Sequence, residues 1–160
     1  MILLEAIDEI IKPEPFKVPF KENTCILEEP KNENYPITRV RSKKNRKVLA
    51  YQFDIDRSQI NIFPFLNDKI VGLTKMCDYI IFYPHKGQLY VFLCEFKAKN
   101  VKGSAKQVQA AKIFANYITE IARHHLNFFK DFNIRYRALI FSTSNARRFS
   151  TNIRNEAYSE

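Results

Sequence analysis

A chain of 160 residues with 46% hydrophobic content, 14 Phe and 8 Tyr can bury a core of its own and fits a single domain. Its net charge of +9 points to a polyanionic partner, nucleic acid ahead of an acidic membrane surface, with a merely basic solvated surface as the plainer alternative. No apolar run reaches the roughly 18–20 residues that span a bilayer, so no membrane partner is expected. The three cysteines, Cys25, Cys77 and Cys94, suit neither a disulfide framework nor a zinc knuckle, and a reducing, cytoplasmic compartment is the simplest expectation.

Residues 2–12 predict a short amphipathic helix: Ile2, Leu3, Ala6, Ile7 and Ile10 recur at helical spacing, and Pro13 stops it. Its acids, Glu5, Asp8 and Glu9, argue against a signal peptide. Glu5 and Glu9 share one flank. From Pro13 to Pro36 five prolines interrupt any period, which predicts an extended connection with a short strand near Thr24–Leu27.

Residues 39–47 carry six cations and no acid: Arg39, Arg41, Lys43, Lys44, Arg46 and Lys47. They read either as a phosphate-contacting loop or hairpin tip or as a solvated charged turn. Alternation predicts strands at Val48–Ile55 and Gln59–Phe63, and Asn67–Thr74 reads as a loop.

Residues 77–97, CDYIIFYPHKGQLYVFLCEFK, read as a hairpin turning at Lys86-Gly87. In a two-residue loop His85 faces Gln88, Phe82 faces Val91, Ile80 faces Leu93 and Asp78 faces Glu95. Lys97 shares the face of Glu95, since side chains alternate along a strand. Two carboxylates set opposite each other destabilise a sheet and raise each other's pKa. A divalent cation between Asp78 and Glu95 removes both costs, and hard oxygen ligands suit Mg2+ or Mn2+. The plainer alternative is a structural ion pair with Lys97. Cys77 and Cys94 flank these acids and are expected on the opposite sheet face, as core residues.

Between Glu95 and Glu120 there is no acid but there are five lysines, Lys97, Lys99, Lys102, Lys106 and Lys112. A helix is predicted from Ser104 to about His125, with Val108, Ala111, Ala115, Ile118 and Ala122 inward. Its N-terminus beside lysines is a ready anion site. His85 reads as a turn residue, and His124 and His125 as solvated ends favourable to the helix dipole. Arg135–Thr143 is a further strand, joined to the sheet by a crossover. Residues 145–160 are polar and basic. The expected fold is α/β, a mixed central sheet flanked by helices.

Asp78 opening one strand, Glu95-Phe96-Lys97 closing the next, then a helix with a glutamine near its start and a strand, resemble the PD-(D/E)XK phosphodiesterase superfamily, the restriction-endonuclease-like fold. The resemblance covers roughly residues 70–143, with the helix and basic region of residues 1–69 attached. Cys77 stands where the motif's proline would be. The resemblance implies that Asp78 and Glu95 hold the metal, that Lys97 holds or polarises the attacking water, and that Gln107 assists, with Gln109 as its fallback. Gln107 also completes a capping box with Ser104. The early-helix acid would be Glu5 or Glu9.

The function so implied is a metal-dependent endonuclease cutting double-stranded DNA in restriction, repair or defence, with residues 39–47, Lys99, Lys102 and Lys106 as its phosphate face. A symmetric homodimer is expected, because cutting both strands calls for two sites. The alternatives are a catalytically inactive nucleic-acid-binding module on the same fold and a domain whose basic face meets an acidic protein or membrane.

Overall fold

The computed structural model describes residues 3–28, 37–42, 47–55, 63–67, 69–97, 102–125 and 133–142. The chain opens with α1 (Leu3–Ile10). Leu3, Leu4, Ala6 and Ile7 are buried and Glu5 and Glu9 exposed, the division the periodicity dictates. Burial of each large aliphatic side chain contributes about 1.5–3 kcal/mol.

Then follow β1 (Lys17–Val18), β2 (Thr24–Leu27), β3 (Thr38–Arg41), β4 (Leu49–Gln52), β5 (Tyr79–His85), β6 (Gln88–Lys97), α2 (Ser104–His125) and β7 (Asn133–Ser142). Five strands form one sheet in the order β1-β4-β5-β6-β7, and β2 pairs with β3 in a second. The main sheet is mixed: β6 and β7 are parallel and the other pairs antiparallel. α2 is the crossover between the parallel strands, as an apolar-faced helix between two strands of one sheet requires.

The β5–β6 register is the one a two-residue turn sets, from His85↔Gln88 to Tyr79↔Cys94. Lys86 and Gly87 both take positive φ, 48° and 73°. That matches a type I′ turn, whose twist suits the strands it joins.

Alternation splits the sheet into two faces. Tyr51, Ile80, Phe82, Val91 and Leu93 pack with α1 and α2. Ala50, Tyr79, Ile81, Cys94 and Phe96 pack with Cys25 and Leu27 of the small sheet. The described layers are therefore helices, main sheet, small sheet. Helices were expected to flank the sheet; among the described residues both lie on one face, and the β2–β3 pair covers part of the other.

Three further expectations change. Arg39 and Arg41 belong to a strand rather than a loop, because Val40 is an apolar anchor paired with Cys25. Cys77 packs into the helix-side cluster and only Cys94 lies on the small-sheet side. Cys77 precedes β5, so strand alternation does not govern it. The strand expected at Gln59–Phe63 falls mostly outside the described residues, and Phe63 itself is not in a strand. All three thiols are buried and free. Burial pushes Cys25 up to about 11 and Cys77 and Cys94 well above the ordinary thiol value, so none is a ready nucleophile.

No helix among the described residues is long and apolar enough to cross a membrane.

Candidate active site

Strand direction brings four chain segments to one end of the sheet. β4, β6 and β7 finish there, and β5 begins there. Lys97 closes β6 in register with Ser142, the last residue of β7. Asp78 stands one residue before β5, so continuing the register by one step sets it beside Glu95.

Asp78 is locked to the backbone of the neighbouring strand. Phe96 N–H donates to Asp78 Oδ2 at 2.6 Å. This bond ties the start of β5 to the end of β6 where ladder pairing stops. Asp78 is 6% exposed and Glu95 only 1%. A carboxylate buried that deeply demands a partner. One partner is Lys97, whose Nζ lies 2.5 Å from Glu95 Oε1. The other oxygen, Oε2, is buried and has no hydrogen-bond partner among the described residues.

Burial pushes the Glu95 carboxyl above its ordinary value of 4.5. The hydrogen bond and charge of Lys97 pull it back, the charge of Asp54 raises it further, and the backbone N–H of Asp78 lowers it. Asp54 therefore belongs to the electrostatics of this site, although its sequence reads simply as the tail of a strand. It lies two residues past β4, and only the β4–β5 pairing Gln52↔Tyr79 brings that end beside the hairpin. The available signal was an acid closing an apolar strand.

Gln107 stands in the first turn of α2. Its Oε1 accepts from Lys97 Nζ at 2.7 Å, and its Nε2 donates to Met76 O at 3.3 Å. The side chain thus ties the helix start to Lys97 and to the segment leading into Asp78, which is more than a capping box requires. Gln109 is exposed. Ser104 is 1% exposed, and Gly103 just before it has φ of +86°, a conformation that favours glycine.

The basic residues divide between layers. Lys102 and Lys106 are exposed at the start of α2, on the site's side of the sheet. Arg39 and Arg41 are exposed on β3, pointing away from the main sheet because Val40 points in. Lys47 pairs with Asp8 at 3.5 Å. Arg39 and Arg41 do not share a face with the start of α2, because strand pairing places β3 in the layer across the sheet. Lys43, Lys44, Arg46 and Lys99 lie outside the described residues. Glu5 and Glu9 are exposed on α1. His124 and His125 are exposed at the end of α2.

Among the described residues no group of three or more His, Cys, Asp and Glu side chains is placed to hold a metal ion. What the site offers a cation is two carboxylates and an unpartnered carboxylate oxygen. Mg2+ suits such a set, since it keeps several waters and takes one or two protein carboxylates plus phosphate oxygens. No family model matches the chain, and no curated protein or solved structure matches it.

Proposed function

We propose that this protein is a Mg2+- or Mn2+-dependent endonuclease hydrolysing phosphodiester bonds in double-stranded DNA on a restriction-endonuclease-like core. The observation that carries the reading is Glu95: a carboxylate 1% exposed, bound to Lys97 through one oxygen, its other oxygen buried without a hydrogen-bond partner among the described residues. A structural ion pair accounts for the first oxygen only. A hard cation shared with Asp78 accounts for both.

Asp78 and Glu95 are the residues that would hold the ion, which when bound supplies Lewis acidity and an activated water. Lys97 offers N–H donors to the water and to the phosphate oxygens as charge develops on them. Gln107 fixes the Lys97 ammonium against wandering, and its own amide is fixed by Met76 O. Lys102 and Lys106 draw in the backbone electrostatically. Two copies about a two-fold axis would cut the two strands.

A non-catalytic nucleic-acid-binding module on the same fold is the second reading. It draws on the Lys97–Glu95 pair, which by itself offsets much of the buried charge. Supercoiled plasmid incubated with the protein in Mg2+ or Mn2+ separates the two. Metal-dependent nicking and linearisation, absent in Glu95→Ala, supports the endonuclease. Metal-independent binding without cleavage supports the module, and light scattering on the duplex complex tests the dimer.

A further inference from the structure

The face of the main sheet turned away from this site carries an aromatic ladder that the proposed cleavage does not use. Toward the hairpin end stand Tyr83 and His85 of β5 and Tyr90 and Phe92 of β6, with Phe92 also packed against the cluster that β2–β3 covers. The ring centroids of Tyr83 and His85 are 5.9 Å apart with planes 15° apart. Those of Tyr90 and Phe92 are 6.4 Å apart at 17°, and His85 joins the two pairs at 6.3 Å to Tyr90. All four rings are half-buried, with part of each open to solvent.

Parallel pairing sets arginines beside them on the edge strand: Arg135 is in register with Tyr90, and Arg137 with Phe92. The Arg137 guanidinium donates to Tyr136 O at 3.0 Å, which holds it along the strand. In the described strands β5, β6 and β7 the only acid is Glu95, and it lies on the other face.

We propose that this face is a stacking platform for single-stranded nucleic acid. Near-parallel, partly open rings at successive positions offer bases π-surfaces to stack on, and arginines in register offer charge to the phosphates between them. A second copy of the chain fits poorly, since a two-fold contact here would set a cationic, acid-free patch against itself. A lipid surface would ask for no such alignment of rings. The platform is independent of the nuclease reading, because it lies across the sheet from Lys97 and needs no divalent ion.

The test is fluorescence anisotropy in EDTA, titrating a labelled oligothymidylate and an abasic strand of equal length. Stacking of one base is worth a factor of roughly 5–150 in affinity. The abasic strand should therefore bind at least that much more weakly. Tyr90→Leu should weaken oligothymidylate binding by a similar factor and leave abasic binding unchanged. Arg137→Ala should flatten the salt slope by about 0.7, one phosphate's share on a single strand. Because the titration runs in EDTA, where the proposed metal-dependent cleavage is silent, its outcome is separate from that of the catalytic reading. Equal affinity of the wild type for the two strands would overturn the platform even if Tyr90→Leu failed to fold. Displacement of the oligonucleotide by anionic vesicles, or preference for duplex, would overturn it as well.

Discussion

Lys97 Nζ lies 2.5 Å from Glu95 Oε1 and is held from its other side by Gln107 at 2.7 Å. A lysine whose only task was to screen a buried acid would not need the second restraint. On the proposed mechanism Lys97→Ala should lower cleavage by about 10²–10³, the usual loss when one transition-state donor is removed. Divalent-ion and duplex binding should persist. A cleavage assay in saturating Mg2+, run beside a melting curve, checks it; unchanged cleavage with a lowered melting point would leave Lys97 a structural role only.

Glu95 gives a pH signature. Burial raises its carboxyl above the ordinary 4.5, so the folded protein holds that proton more tightly than the unfolded chain does. Its contribution to stability is complete below about 4.5 and is lost as pH rises through the folded value. Glu95→Gln cannot ionise, so it should melt above the wild type at neutral pH and converge with it in acid. Thermal melts across pH measure this. Mg2+ at about 100 times its Kd should return roughly 2.7 kcal/mol to the wild type and nothing to the variant.

Asp8 shows the reverse sign. Burial acts to raise its pKa, but hydrogen bonds from Lys17 and Tyr51 and the charges of Lys17 and Lys47 outweigh it, and the net shift is downward. The Tyr51 hydroxyl, on a fully buried ring, donates to Asp8 Oδ1 at 3.0 Å. Asp8→Ala should therefore cost about 1.5–3 kcal/mol at neutral pH, mostly through the orphaned tyrosine, because the lysines are too exposed to add much. The ionic share of that cost is present above the unfolded value of 3.8 and fades as pH falls through the folded one. Urea denaturation at two pH values tests both points.

The hairpin turn is open to improvement. Lys86 holds φ of 48°, a left-handed conformation that asparagine and glycine adopt at lower cost. Lys86→Asn should stabilise the fold by about 0.5–2 kcal/mol, and Gly87→Ala, at φ of 73°, should destabilise it. Chemical denaturation of the two variants gives the comparison.

The local elements were largely legible in the chain itself. Period 3.6 with Pro13 gave α1, period 3.6 after Ser104 gave α2, and the Lys86-Gly87 turn fixed the β5–β6 register down to single pairs. These follow from neighbours in sequence, where turn geometry and side-chain alternation leave few choices. That the strand after α2 joins the same sheet by a crossover was also foreseeable from the intervening helix; its direct pairing with β6 came from the structure.

What the tertiary structure alone decided was which distant segments share an end of the sheet. Asp54 enters the field of Glu95 through β4–β5 pairing across more than twenty residues of intervening chain. Gln107 reaches Lys97 because α2 lies against β6, not because of its spacing from Ser104. Arg39 and Arg41, one charge run with Lys47 in sequence, stand on a separate layer because Val40 seeks the core, while Lys47 turns to Asp8. Long-range pairing is selected by burial of whole faces, and a run of like charges carries no information about which face its neighbours will bury.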